Sequence, residues 1–482
     1  MLWTNLTTEW YDGWWYGVAA TADDALDAGS YYVQEAAASP GYDVNSEKAW
    51  VTVVGGKNAR ANWTYFSEPP KTGSAELDKK SDNPSMTDNN NCYSLAGAVY
   101  GIWKNASCSG DAWKSMTTDA KGNAKIDGLP FGNYWVQETT PSKGFERDET
   151  IYPISVTEAN PKATIHSVEP AGNDPLVITI NKIWNGEETP TIPSLAGTQF
   201  TVKYFDNMDK NTSGTPKKTW VLEVQKNASG VWRAQLDDDW LVQNKSDSLY
   251  KSPRSGIVIL PYGTYSIQET QHAPGYTFEG TWGNKDGTVT MSTTKPYVAV
   301  VDKNTTGGIN LWGGNEYTGQ NKPHDCSIKI RKVDENGNPL ADVQFTLKNS
   351  KGELVSTKTS GSDGYVTWDK LYPDIYTVTE IKTANGKNLL AEDIEIKLPM
   401  RFTEEDIKTY NIDRSKLSEW DKEEKCYYLF DVTYEVSNDV TFTPPMTGAM
   451  ITAKRFIPIA CGMVVLMGAT CIIFFKRKKK RA

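Results

Sequence analysis

Histidine is nearly missing from this 482-residue chain, with only His166, His272 and His324, far apart from one another. The six cysteines make none of the close Cys/His spacings that hold zinc. No Ser/His/Asp arrangement and no glycine-rich phosphate loop occurs. These absences remove metal centres, hydrolytic triads and nucleotide sites from consideration, and no metal or cofactor is expected. Asp237-Asp238-Asp239 and Asp334–Asn338 read as solvated turns rather than calcium loops. Long helical periodicity is also lacking. Only Thr403–Trp420 looks helix-capable, and it reads as an insertion. Cationic surplus is confined to the end of the chain. Residues 448–482 carry eight Lys and Arg and no acid, so against a net charge of −9 the remainder stands at −17. So acidic a body disfavours nucleic-acid binding.

What is present is β-forming. Tyr, Trp, Thr and Val are plentiful, and turn signals such as Asp363-Gly364 recur. One ten-residue box occurs four times without a gap: Leu26–Glu35, Leu129–Glu138, Leu260–Glu269 and Leu371–Glu380. Leu stands first, Tyr sixth, a β-branched residue eighth and Glu last. A Gly follows six residues on, at Gly41, Gly144, Gly275 and Gly386. In a strand, alternate side chains share a face, so Tyr134, Val136 and Glu138 point the same way. The repeat therefore sends a carboxylate into an apolar interior, which is costly unless the charge is paired or removed.

The box sets the modules. Residues 1–70 form an incomplete module, with strands expected around Ala49–Val54 and Asn62–Phe66. Residues 71–175, 176–318 and 319–441 share one order: first strand, an L-A-[GD]-x-x-[YF] strand, turn, box, last strand. Residues 442–482 differ in kind. Phe456–Phe475 is an apolar run long enough to cross a bilayer as a helix, and a basic tail follows it.

Strand parity turns one Lys inward in each complete module. Ile178, Ile180 and Lys182 share a face, as do Ile328, Ile330 and Lys332. Ala75, Leu77 and Lys79 repeat the pattern, with Lys80 one residue out of phase. On the last strands, Asn315 follows Ile309 and Leu311 in parity, and Asn438 follows Tyr434 and Val436. Asn173 is the counterpart in the second module, although Pro170 interrupts its strand. Burial lowers an amine's pKa and raises a carboxyl's. A neutral Lys can then attack an Asn side-chain carbonyl while the Glu moves the protons. Ammonia leaves, and an amide ties first strand to last. The other reading of the same residues is an ordinary Lys–Glu pair with Asn in a turn.

The box, the L-A-G-[AT]-x-[YF] strand and the inward Lys and Asn resemble the Cna protein B-type domains, also called SpaA-like or prealbumin-like, of Gram-positive adhesins and pilins. The resemblance implies tandem Ig-like, transthyretin-like β-sandwiches and self-made isopeptide bonds. By position, the implied sets are Lys79–Glu138–Asn173, Lys182–Glu269–Asn315 and Lys332–Glu380–Asn438. The first module has no first-strand donor, because its earliest lysine, Lys48, comes after Glu35.

The C-terminus resembles a sortase sorting signal, with Pro445, Met446, Thr447 and Gly448 ahead of the apolar span and Pro444 where Leu is usual. This implies sortase as a partner, cleavage between Thr447 and Gly448, and transfer to peptidoglycan or to another pilin subunit. An uncut membrane protein held by 456–475 is the alternative, as is the stalk of a surface enzyme whose catalytic part lies upstream. Residues 1–20 carry Glu9 and Asp12 and lack the basic start and apolar core of a secretion signal, so a truncated beginning is expected. An exported location permits disulfides Cys92–Cys108 and Cys326–Cys426, with buried thiols as the alternative. Cys461 and Cys471 fall in the apolar span. Trp220–Lys226 reads as a strand. The expected product is a wall-anchored adhesin or pilin-type structural protein; its extracellular ligand is not written in the sequence.

Overall fold

The computed structural model describes residues 6–11, 13–17, 26–56, 64–182, 186–278, 281–282, 291–292, 294–305, 307–312, 321–384, 387–437, 442–443, 445–446 and 449–450. Among them strands dominate, and the α-helices are Pro84–Thr87 and Glu404–Tyr410. The chain divides into two compact units, one of residues 1–89 with 93–171 and one of residues 90–92 with 172–482. Modules one and two lie in the first unit, three and four in the second. The break at 171/172 falls a few residues before the expected boundary.

Module two is a sandwich of a four-stranded and a three-stranded sheet. The first places Tyr152–Val156, Gly132–Thr140, Val99–Trp103 and Lys114–Thr117 side by side; the second places Lys162–Glu169, Thr72–Ser81 and Asn123–Pro130. Each strand alternates because one face is buried. Ala163, Ile165, Ser167 and Glu169 point inward, while Lys162, Thr164, His166 and Val168 do not. Modules three and four repeat the plan with two four-stranded sheets each. In all three, the first strand lies parallel to the last, as in Ser327–Val333 against Asp431–Ser437. The box strand belongs to the facing sheet.

Two local devices shape the box. Its Tyr hydroxyl donates to the carbonyl four residues earlier, in all four copies: Tyr31 to Asp27, Tyr134 to Pro130, Tyr265 to Pro261 and Tyr376 to Tyr372. In the three complete modules a buried phenol is thereby satisfied within the box itself. The other device is a bulge just after the Glu. Val99 and Tyr100 face Thr140 and Glu138, Gln199 and Phe200 face Gln271 and Glu269, and Gln344 and Phe345 face Lys382 and Glu380. One extra residue is thus inserted beside each carboxylate.

In module one, the box strand Gly29–Val33 pairs with Ala49–Val53, as expected for 49–54. Of the expected strand 62–66, residues 62–63 lie outside the described residues, and 64–66 form no strand. The helix-capable stretch becomes Glu404–Tyr410, closed by a reciprocal Thr403–Asp406 capping box and ended by Asn411 at φ 50°. Trp220–Lys226 is strand, split as Lys218–Glu223 and Gln225–Lys226.

Modules three and four are joined within their unit by buried polar contacts. The Asp421 carboxylate accepts from Ser194 Oγ at 2.7 Å and from the Tyr428 hydroxyl at 2.5 Å, and it is fully buried. Thr191 Oγ1 donates to the Leu398 carbonyl at 2.6 Å. Among the described residues no helix is long and apolar enough to cross a membrane; the expected span 456–475 lies outside them.

Neither expected disulfide is formed. Cys92, Cys108, Cys326 and Cys426 are all thiols. Cys326 is taken up by packing, since its side chain is part of the module-four core with Ile328, Trp368 and Leu371. Cys426 closes the Asp421–Cys426 bridge, and Cys108 sits in a turn at φ 49°. Cys461 and Cys471 lie outside the described residues.

Candidate functional site: a buried lysine and carboxylate in each complete module

Strand parity puts Lys79, Lys182 and Lys332 inside, and each is at most 1% exposed. In module two the choice between neighbours is settled: Lys80 lies 60% exposed beside Asp78. Each inward amine meets the box carboxylate from the facing sheet at 3.0 Å: Lys79 with Glu138, Lys182 with Glu269 and Lys332 with Glu380. All six side chains have no exposed surface. The aromatic of the L-A-[GD]-x-x-[YF] strand stands opposite the Glu each time, and Phe145 caps Lys79 with its ring 5.2 Å from Nζ.

The electrostatics follow from this dryness. Burial draws the Lys182 amine down to about 8 and also lowers that of Lys332. Burial raises the Glu138 carboxyl, outweighing the Asp148 N–H and Lys79 that favour its charged form. Glu269 goes the other way from the expected rise. Burial pushes it up, but the Lys182 charge, His272 and Asn321 together hold it below the usual range.

The third member differs between modules. In module two, Lys79 also ion-pairs with Glu169, and the Tyr100 hydroxyl donates to the same carboxylate. Asn173, expected there, stands instead in a two-residue strand of the other unit, opposite Pro261. The reason is register. Lys79 is level with Ser167 on the parallel last strand, so the site is met by the inward residue two further on, which is Glu169. The alternation Ala163-x-Ile165-x-Ser167-x-Glu169 is the signal in the sequence that marks Glu169 as inward.

In module four, Lys332 is level with Val436, so the same offset gives Asn438, which lies outside the described residues. Glu380 Oε1 is buried there with no partner among the described residues. In module three, Ile178 and Ile180 are level with Ile309 and Leu311; continuing that register and offset leads to Asn315, also outside the described residues. Asn321, unforeseen from sequence, donates to Glu269 Oε1 at 2.8 Å, and its own Oδ1 is buried without a partner among the described residues.

Module one keeps part of this arrangement. Glu35 accepts from the Asn45 N–H, ten residues on, as Glu138 accepts from that of Asp148 at 2.7 Å. Its other oxygen is buried with no hydrogen-bond partner among the described residues, and Lys48 lies over Tyr32. At the C-terminus, Pro445–Met446 pairs with Ala449–Met450, while Thr447, Gly448 and the basic tail lie outside the described residues.

Paired sheets with parallel end strands and an inward Lys–Glu couple define a class of β-sandwich module. Residues 85–169 and 326–413 match the prealbumin-like fold domain of the SpaA family. The chain is similar to serine-aspartate repeat-containing protein D of Staphylococcus aureus strain Newman, with 24% identity over 397 residues. That match covers 77% of this chain and 28% of the relative, so the chain spans little more than a quarter of the curated relatives it matches. Among solved structures, the Bacillus anthracis TIE protein is similar over 74% of this chain and 56% of its own, at 19% identity and a TM-score of 0.39. BcpA, the major pilin subunit of Bacillus cereus, is similar over 76% of this chain and 99% of its own, at 17% identity and a TM-score of 0.24.

Proposed function

We propose that the chain is a structural surface protein whose modules three and four are closed by Lys182–Asn315 and Lys332–Asn438 amide bonds, with Glu269 and Glu380 as the proton shuttles. The observation that carries this reading is the repeated 3.0 Å contact between a wholly buried amine and a wholly buried carboxylate on facing sheets. An ion pair in so dry a place is a poor source of stability, whereas it is the starting state the condensation needs. One proton passes from Lys to Glu, leaving a neutral amine beside a neutral acid. The amine then attacks the Asn side-chain carbon, a step that a fixed geometry within one module would favour through a high effective concentration. Glu returns protons to the departing nitrogen, and ammonia leaves. Each module turns over once and acts on itself only.

Asn321 holds Glu269 in position and is not the acceptor. Peptide mapping of the full chain tests both statements. The expected result is one branched peptide joining Lys182 to Asn315 and another joining Lys332 to Asn438, each lighter by one ammonia. Linear peptides throughout would overturn the reading, and a branch at Asn321 would overturn the assignment. Sortase would then join Thr447 to an amine of peptidoglycan or of another subunit, which makes the protein a wall-bound adhesin or a pilin-type subunit. A ladder of high-mass species in wall extracts marks the second; a single wall-linked band marks the first.

A further inference from the structure

Module two departs from the other two at two positions that touch each other. The last-strand residue facing the lysine is a carboxylic acid, Glu169, where register leads to Asn315 and Asn438 in the others. The aromatic opposite the box Glu is a tyrosine, Tyr100, where the others have Phe200 and Phe345. The Tyr100 hydroxyl donates to Glu169 Oε1, which Ser167 Oγ also approaches at 3.2 Å. Glu169 Oε2 is on Lys79. All five side chains sit in a closed interior: Lys79, Glu138, Ser167, Glu169 and Tyr100 have no exposed surface. One lysine faces two carboxyls there, so with all three charged the pocket would hold a net negative charge without solvent, which burial opposes.

We infer that module two closes by an amide between Lys79 Nζ and Glu169 Cδ, formed with loss of water, with Glu138 as the proton shuttle. This rests on the reading proposed for modules three and four and extends it to a different leaving group. The Lys79 amine, neutral after giving a proton to Glu169, attacks the Cδ of the protonated Glu169 carboxyl, and the N–C bond forms. Tyr100 and Ser167 donate to the oxygen on which negative charge collects. Glu138 takes a proton from the nitrogen and delivers it to the Glu169 hydroxyl, and the C–OH bond breaks to release water. No oxidant or further reactant is needed. Glu169 rather than Glu138 is the electrophile, because only Glu169 has hydroxyl donors on one oxygen and the amine on the other. Glu138 is held by the Asp148 N–H and by Lys79, as a proton carrier would be.

Peptide mapping of the full chain by mass spectrometry tests the inference. The expected product is one branched peptide joining the Lys79 and Glu169 segments, lighter by one water than their sum. Glu169→Gln should reach a product of identical mass, this time by loss of ammonia, because both routes end at the same amide. Glu138→Gln keeps the shape of the pocket and should leave the two segments separate. Unlinked Lys79 and Glu169 peptides in the native protein, or a branch at Glu138, would overturn the inference. Modules three and four are read in the same digest. If they are linked and module two is not, this inference falls alone; if none is linked, the reading beneath it falls as well.

Discussion

Tyr100 lies directly across from Glu138, at the place where Phe200 meets Glu269 and Phe345 meets Glu380. A hydroxyl is therefore present in the module-two pocket where the other two have a plain phenyl ring, and it donates to Glu169. Tyr100→Phe removes that donor without opening a cavity. A buried carboxylate left short of a partner costs about 1–3 kcal/mol, so linking of module two should slow and its unlinked form should melt earlier. Time-resolved peptide mapping after refolding measures the first effect, and calorimetry of a Tyr100→Phe, Glu138→Gln chain against Glu138→Gln alone measures the second.

Glu269→Gln and Glu380→Gln should each leave only their own module unlinked. An amide keeps the shape of the side chain but cannot shuttle a proton. Each variant should retain one ammonia relative to the native protein, and proteolysis should then enter the affected module first. A double variant with the full mass loss would contradict the role given to these residues.

The Lys182 amine sets a pH dependence for unlinked module three. With Asn315→Ala the lysine cannot be consumed; it titrates at about 8 in the fold, against an ordinary 10.5. Between those values the unfolded chain binds more protons than the folded one, so stability rises with pH across that window and the gain is lost below it. The full change is on the order of 3 kcal/mol. Denaturant titrations of Asn315→Ala between about pH 8 and about pH 10 read this slope. A flat profile would mean that Lys182 stays charged throughout.

Asp421 holds the joint between modules three and four. Asp421→Ala strips the partners from Ser194 and Tyr428, which are buried. Each abandoned hydroxyl costs about 1–3 kcal/mol, and the two modules should then move independently. Small-angle scattering of residues 172–443 would register a broader range of end-to-end lengths, and hydrogen exchange at 191–196 should accelerate while the module cores stay protected.

The thiols give a check on packing. Burial pushes the Cys426 thiol up to about 12 and raises Cys326 as well. Both should resist alkylation in the native protein and react only after denaturation, with Cys108, the partly exposed one, reacting first. Rapid native labelling of Cys326 would contradict its place in the core.

Much of this arrangement can be read from residues alone, because it rests on a period of two. Ile178-x-Ile180-x-Lys182 announces an inward lysine, and Tyr134-x-Val136-x-Glu138 an inward acid. What cannot be read is what crosses from one strand to another. Glu169 enters the pocket through the parallel register with the first strand, and that register is a property of two distant segments. The bulge beside each Glu and the Ser194–Asp421–Tyr428 contact are of the same kind. That Asn173 falls past a boundary at 171/172 is equally illegible, because such a boundary leaves no mark where Gly and Pro are common. Which of the two readings of the cysteines holds is not legible either, because an export setting permits disulfides but does not bring two sulfurs together.

The parallel pairing of first and last strands has a consequence for how a tied module would carry tension. In a module tied as proposed, force entering at Cys326 would run along one strand to Lys332, cross one covalent bond, and leave beyond Ser437. The box strand, the facing sheet and the Glu404–Tyr410 helix lie on a slack branch. The taut part is the seven residues from Cys326 to Lys332, roughly 23 Å at the rise of a strand. Everything else in the module hangs beside the loaded line. Insertions on that branch, or a binding surface carried there, would change what the module displays without changing how far it stretches.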